Sequence, residues 1–240
     1  MSSSAFAHIA GHLVELRNRL IVSFLAVTCC TVVAYIFSEQ ITRLFIAPLF
    51  RAHPTIAKLV YTNLPEAFVA YIKVSLLVGV IVSFPVILYQ AWMFAAPGLL
   101  DHEKKVVRKT VLWATLLFGT GAGFAYFIVL PQALSFFMSF AGNQLEAMPK
   151  LGGYLTFVAR SSLAFGLAFE IPFLMVVAAR TGLVPSGYFQ KKRKYSYIAI
   201  LVMSVLLTAG DIFGAVLLFL PLLGLYEAGL LAIKAFSSPA

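Results

Sequence analysis

Charge is what this sequence has least of. Only 11% of its 240 residues are Asp, Glu, Lys or Arg, against 61% hydrophobic residues and a mean hydropathy of +0.95. A soluble domain carries about 25% charged residues. The polar surface here is too small to coat a globule in water, so the chain is an integral membrane protein. Cysteine is almost missing: Cys29 and Cys30 are adjacent, and neighbours on a helix point about 100° apart. That excludes a disulfide between them and leaves two small packing residues. Histidine is sparse too, with four in the chain. His8 and His12 stand four residues apart, but no third ligand lies near them, so no metal site is expected. There is no Ser-His-Asp set, no phosphate-binding loop and no Walker-type motif, which argues against an enzyme and implies no cofactor. The net charge of +9 is no sign of nucleic acid in such a chain, because cytoplasmic loops of membrane proteins are rich in Lys and Arg.

What is present is long apolar runs. A spanning helix needs about 20 apolar residues, and six segments qualify, approximately 20–37, 68–94, 106–130, 154–179, 195–208 and 212–233. Backbone polar groups must be satisfied inside lipid, so these are helices. No alternating barrel pattern and no internal repeat is visible. The expectation is an all-α integral membrane protein, residues 1–240 forming a single transmembrane domain. Pro85 and Pro172 fall inside the second and fourth segments and are expected to kink them. The first run is too long for a cleavable signal peptide and lacks a small-residue cleavage site, so it is expected to stay as an anchor.

Basic residues orient the spans. With the N-terminus inside, twelve of the 18 Lys and Arg fall on cytoplasmic segments, among them Arg17, Arg19, Lys104, Lys105 and the 191–194 cluster. Four, Arg43, Arg51, Lys58 and Lys150, fall outside. This bias places both termini in the cytoplasm. The first outer loop begins at Ser38, a candidate helix cap. Ile41, Leu44 and Phe45 make an apolar stripe up to Pro48, which predicts a short surface helix. The second outer loop, from Pro131 to Gly153, reads as a helical cap. The third is almost absent, so Lys194 and Asp211 are separated by only about 25 Å of helix, less than a ~30 Å hydrocarbon core. Short fifth and sixth helices are expected. The third helix, by contrast, is long enough for its first turns to project into the cytoplasm.

Four acidic residues need explaining. Glu15 stands in His12-Leu13-Val14-Glu15-Leu16-Arg17-Asn18-Arg19-Leu20, on the face of an amphipathic interfacial helix that also carries His12 and Arg19. Its bland role is an i, i+4 partner for Arg19, worth about 0.3–0.5 kcal/mol. Glu103 follows the Pro97-Gly98 turn in the first turn of a helix, where the dipole favours an anion. Both stand on short stiff elements at one membrane face, and two ordered carboxylates there suit a pair of bidentate guanidinium groups. Glu170, in Phe169-Glu170-Ile171-Pro172, lies within hydrocarbon, where an ionisable group costs about 2.5–3.5 kcal/mol and marks function. Asp211 is shallower, and either caps the sixth helix or serves as a second intramembrane polar site.

Taken together, these stretches resemble the TatC family, the multispanning subunit of the twin-arginine protein translocase. The residues carrying the resemblance are the 12–20 segment, Ala47-Pro48-Leu49, Pro85 through Trp92, Ala96-Pro97-Gly98-Leu99 with Glu103, Phe124 through Phe127, Phe165 through Pro172, and Lys191 through Tyr195. The resemblance implies a six-helix, cup-shaped receptor for folded proteins that carry a paired-arginine signal peptide. Glu15 and Glu103 match the positions that read the two arginines, with Arg17 and Arg19 orienting the segment. Glu170 matches an intramembrane polar site. Single-span partner subunits, TatB-like and TatA-like, are implied, as are a homo-oligomeric assembly, a bacterial, archaeal or plastid-type energy-transducing membrane, and the proton-motive force as energy source. The sequence departs from the family pattern at Ala209-Gly210, where Pro-Pro is common, at Ala215, where Gln is common, and at Leu100, where Tyr is frequent.

A different function class, a proton-coupled secondary transporter with Glu170 as carrier carboxylate, would call for a midplane cavity and usually a repeated half. The sequence shows no repeat, and a short last hairpin suits a transporter badly.

Overall fold

The computed structural model of this chain describes residues 2–52, 59–61, 63, 65–95, 103–139, 148–180, 184–185, 187–207 and 212–237, with the backbone alone at some helix ends, including 2–9 and 103–109. Helices make up nearly all of it. In chain order they are α1 (Ser2–Ile36), α2 (Ser38–Ala52), α3 (Glu66–Ala95), α4 (Glu103–Phe124), α5 (Leu130–Ser139), α6 (Leu151–Arg180), α7 (Tyr188–Lys191), α8 (Arg193–Leu207) and α9 (Ile212–Ser237). The only extended pairing among the described residues is one bridge, where Val60 exchanges backbone hydrogen bonds with Pro149 (3.2 Å) and Leu151 (3.0 Å). Four segments are long and apolar enough to cross a bilayer: Ala10–Ile36, Glu66–Phe94, Thr110–Ser139 and Leu151–Ala179. The fold class read from composition is therefore the one observed.

The helices differ in instructive ways from their sequence outlines. Pro131, the first residue of the expected second outer loop, lies inside a continuous helical run from α4 to α5. A proline donates no hydrogen bond to the carbonyl four residues back. Here the backbone passes through a π turn, Ala125–Val129, and the Leu130 N–H donates to the Ala125 carbonyl five residues back. The register slips by one residue just ahead of the proline, and the helix goes on to Ser139. α2 likewise continues past Pro48 to Ala52. Burial of Leu49, with no exposed surface, and a hydrogen bond between the Leu49 backbone and the Tyr154 hydroxyl hold that last turn. Pro85 and Pro172 both stand within unbroken helices. α8 has 15 residues, a rise of about 22 Å, well under a ~30 Å hydrocarbon core, as expected of the fifth helix; the sixth is not short, because α9 continues for 26 residues, about 39 Å.

The chain divides into two compact units, residues 1–45 with 61–116, and residues 46–60 with 117–240. In the first, α1 lies along α3. A Cβ on Gly79 would fall 2.2 Å from the Thr31 side chain and 2.8 Å from its backbone, so the two helices touch through their backbones. Lipid gives no hydrophobic drive for helices to associate, and close backbone approach at small residues supplies it instead. Most of the remaining α1 surface is apolar and exposed, Phe24 at 71% for example, as suits contact with lipid.

In the second unit α6 is the central post. The end of α4 crosses it at Gly121, whose absent Cβ would lie 2.5 Å from the Phe165 carbonyl oxygen. α9 crosses it at Gly229, against Pro172 and Met175. Phe165, Met175, Ile200, Leu222 and Tyr226 form the buried core that joins α6, α8 and α9.

Candidate functional site

Glu15 stands on α1 four residues before Arg19, which places both on one stripe of the helix. Arg19 Nε donates to Glu15 Oε1 at 2.9 Å and Nη2 donates to the same oxygen at 2.5 Å. The third guanidinium nitrogen, Nη1, crosses to α3 and donates to Gln90 Oε1 at 3.2 Å. One turn earlier His12 stacks on Phe94 of α3, ring centroids 4.3 Å apart. These contacts pin this end of α1 to the end of α3. Beside them opens a cavity of about 470 Å³ lined by Gly11, Val14, Glu15, Asn18, Arg19, Val22 and Gln90. The Glu15 and Arg19 side chains retain 34% and 21% of their exposure. The carboxylate is thus ordered and still reachable from solvent. What such an arrangement can do is accept a further charged donor on its second oxygen.

Arg17 is not part of this group. Its side chain lines a separate apolar groove with Leu13, Leu16, Leu20, Ile21 and Phe24, where a long stem can lie along apolar surface with its charge in the polar layer. Glu103 is the first residue of α4, but its side chain lies outside the described residues, as does Asp211 altogether.

Glu170 is buried in the second half of α6, only 5% exposed. Its Oε1 has no hydrogen-bond partner among the described residues, and the Phe118 backbone lies within reach of the carboxyl group. A buried polar atom without a partner carries a desolvation cost of about 1–3 kcal/mol. Such a group is retained against a stability penalty.

Known proteins resemble this chain along most of its length. Residues 11–221 match the family model described as TatC, Sec-independent protein translocase protein. The chain belongs to the TatC family. Among curated members it is 40% identical to the Sec-independent protein translocase protein TatC of Desulforapulum autotrophicum over 225 residues, 94% of this chain and 83% of that one. It is 36% identical to the Escherichia coli TatC over 218 residues, 91% and 84% of the two chains. A crystal structure of a twin-arginine translocase receptor, TatC, superposes with a TM-score of 0.85 at 37% identity, covering 95% of this chain and all of that one. As a TatC family member the chain is a membrane-embedded protein-transport component rather than an enzyme.

Sequence reasoning about this TatC family member missed two things. The first is Gln90, which ties Arg19 to α3. The second is a polar cluster between α8 and α9. Arg193 Nε donates to Glu227 Oε1 at 2.8 Å and to the Tyr197 hydroxyl at 2.6 Å, while Arg193 Nη2 and the Tyr197 hydroxyl also donate to the Glu227 carboxylate. The hydrogen bonds that Arg193 donates to Glu227 push its pKa up, so the guanidinium stays charged. The signal was available in the spacing: Arg193 lies 18 residues before Asp211 and Glu227 lies 16 after it. Nearly equal arms along α8 and α9 bring the two level.

Proposed function

We infer that this chain is the receptor component of a twin-arginine translocase, binding paired-arginine signal peptides of folded proteins at the cytoplasmic face. The observation that carries this is the Glu15 carboxylate: half-buried yet open to solvent, ordered through a single oxygen by Arg19, and set in the wall of a cavity. One guanidinium of the peptide pairs with Glu15 and the second with Glu103, while Arg17 and Arg19 hold the segment at the membrane surface. Six spans form a single transmembrane domain with both termini in the cytoplasm of an energy-transducing inner membrane, as the distribution of Lys and Arg favours. TatB-like and TatA-like single-span subunits and further copies of this chain assemble around it, with Glu170 and Asp211 as intramembrane polar contacts. The proton-motive force drives transport.

The decisive experiment is site-specific crosslinking of a paired-arginine signal peptide to membranes carrying the wild type, Glu15→Ala or Glu103→Ala. Each charge-assisted pair is worth about 1.5–3 kcal/mol, so each variant should bind roughly tenfold or more weakly. A Lys-Lys peptide should bind poorly to the wild type, because an ammonium lacks the planar fork. Undiminished crosslinking in both alanine variants would sink the clamp.

A further inference from the structure

The second compact unit holds a cavity of about 550 Å³ lined by Pro48, Arg51, Tyr126, Phe127, Pro131, Gln132 and Ser135. Nothing in the signal-peptide reading uses it. Its size is within the roughly 300–1,000 Å³ of small-ligand sites. Its walls are stiff. Pro48 lies inside α2 and Pro131 inside α5, and between the lining residues runs the π turn Ala125–Val129. π turns in otherwise regular helices occur frequently at functional sites, and this one sets Tyr126 and Phe127 on the cavity rim.

The depth of the cavity says what reaches it. Tyr126 is 16 residues beyond Thr110, where the apolar stretch of this helix begins, and Ser135 is 25 beyond it. At 1.5 Å per residue they stand about 24 and 37 Å along the helix. A hydrocarbon core is about 30 Å thick, so the lining residues straddle its edge and enter the headgroup layer. Tyr126 at that depth matches the interfacial aromatic belt. Phe127 beside it is 68% exposed, an apolar surface turned outward to acyl chain.

The charge is Arg51. It is exposed, and no carboxylate among the described residues pairs with it. Its neighbour on α2, Arg43, is by contrast matched by Glu39 at 2.5 Å. Arg51 is near enough to Tyr126 to interact electrostatically with its hydroxyl, and Gln132 and Ser135 add neutral hydrogen-bonding groups. A guanidinium without an ion pair among the described residues, hydroxyl and amide groups and an apolar rim at the edge of the hydrocarbon make a receptor for an anion attached to a hydrocarbon tail. Arg pairs with phosphate oxygens through two parallel N–H donors.

We propose that this cavity binds the headgroup of an anionic phospholipid in the leaflet next to α2, with the phosphate on Arg51 and an acyl chain along Phe127. The site is separate from the Glu15 cavity and stands whether or not that cavity binds signal peptides.

The test uses the full chain in mild detergent, titrated with short-chain phosphatidylglycerol, with phosphatidylcholine of the same chain length, and with inorganic phosphate, and read by native mass spectrometry. The wild type should retain phosphatidylglycerol over phosphatidylcholine. Arg51→Ala should lose roughly tenfold in affinity, as expected for removal of a charge-assisted pair. Arg43→Ala, on the same helix, should bind like the wild type. Should Arg51→Ala fail to fold, Ser135→Asp serves in its place: the introduced carboxylate should repel the phosphate and lower binding while Ser135→Ala does not. Equal retention of both lipids, or undiminished binding in Arg51→Ala or Ser135→Asp, would overturn the proposal. So would inorganic phosphate displacing the lipid at equal concentration, since that would make the site a free-anion site rather than a lipid site.

Discussion

Arg19 commits two of its nitrogens to one oxygen of Glu15, at 2.9 and 2.5 Å, and its third to Gln90 at 3.2 Å. The geometry is neither an isolated surface ion pair nor an empty acidic site. It fixes the glutamate rotamer and leaves the second carboxylate oxygen for another donor. An i, i+4 pair of this exposure contributes only about 0.3–0.5 kcal/mol to folding. Its value to the protein therefore lies in orientation.

The first prediction separates those two roles. Glu15→Gln keeps the shape and one acceptor oxygen but removes the charge. Thermal melting in detergent should change by no more than about 0.5 kcal/mol, while paired-arginine peptide binding should fall roughly tenfold. A large melting shift with unchanged peptide binding would make Glu15 a structural residue only.

Gln90 invites a companion measurement. Gln90→Ala removes the link from Arg19 to α3, a bond worth about 0.5–1.5 kcal/mol to neutral partners and more to a charged one. The peptide should still bind, but more weakly than to the wild type, because Arg19 and with it Glu15 gain rotamer freedom. Titration of the same labelled peptide against both proteins measures this. An affinity equal to wild type would show that Gln90 does not order the site.

Close packing in the second unit gives a prediction of sign. Gly121→Ala places a methyl group 2.5 Å from the Phe165 carbonyl oxygen, and backbone cannot yield as a side-chain tip can. Overpacking of this kind costs about 1–3 kcal/mol. Gly119→Ala, two residues away with nothing within 4 Å, should be neutral or stabilising by up to about 1 kcal/mol through helix propensity. Melting curves of the two variants should move in opposite directions or differ clearly in size.

Glu170 tests whether a buried carboxyl is kept for folding or for function. Its Oε1 is buried without a partner, so Glu170→Leu removes a desolvation cost of about 1–3 kcal/mol at similar volume. The isolated chain should melt no lower than the wild type. Co-purification of single-span partner subunits should nonetheless drop. Loss of stability together with intact partner recovery would reverse the assignment.

The membrane class and the helical fold were legible in the sequence because both are set by local composition. Lipid demands about 20 apolar residues in a row and an internally satisfied backbone, and the segments around residues 20–37, 68–94 and 154–179 meet that demand without reference to any neighbour. The pairing of Glu15 with Arg19 was legible for the same reason, since i, i+4 spacing is a property of a single helix. The presence of a carboxyl at residue 170, within an apolar run, was visible as an exception to that composition.

Other features required the chain to fold before they existed. Whether Pro131 ends a helix depends on whether a π register can take up the missing donor, and the Leu130 to Ala125 hydrogen bond is a backbone choice that no residue type announces. Gln90 and Arg19 are 71 residues apart, and Arg193 and Glu227 are 34 apart. Each pair meets only because two helices lie side by side at a particular height. Sequence by itself determined which segments enter the bilayer, since burial in lipid is a one-body property of each residue. Tertiary structure alone decided which polar side chains meet there, because a hydrogen bond needs two partners within about 3 Å, and only the packing of helices on one another sets that distance.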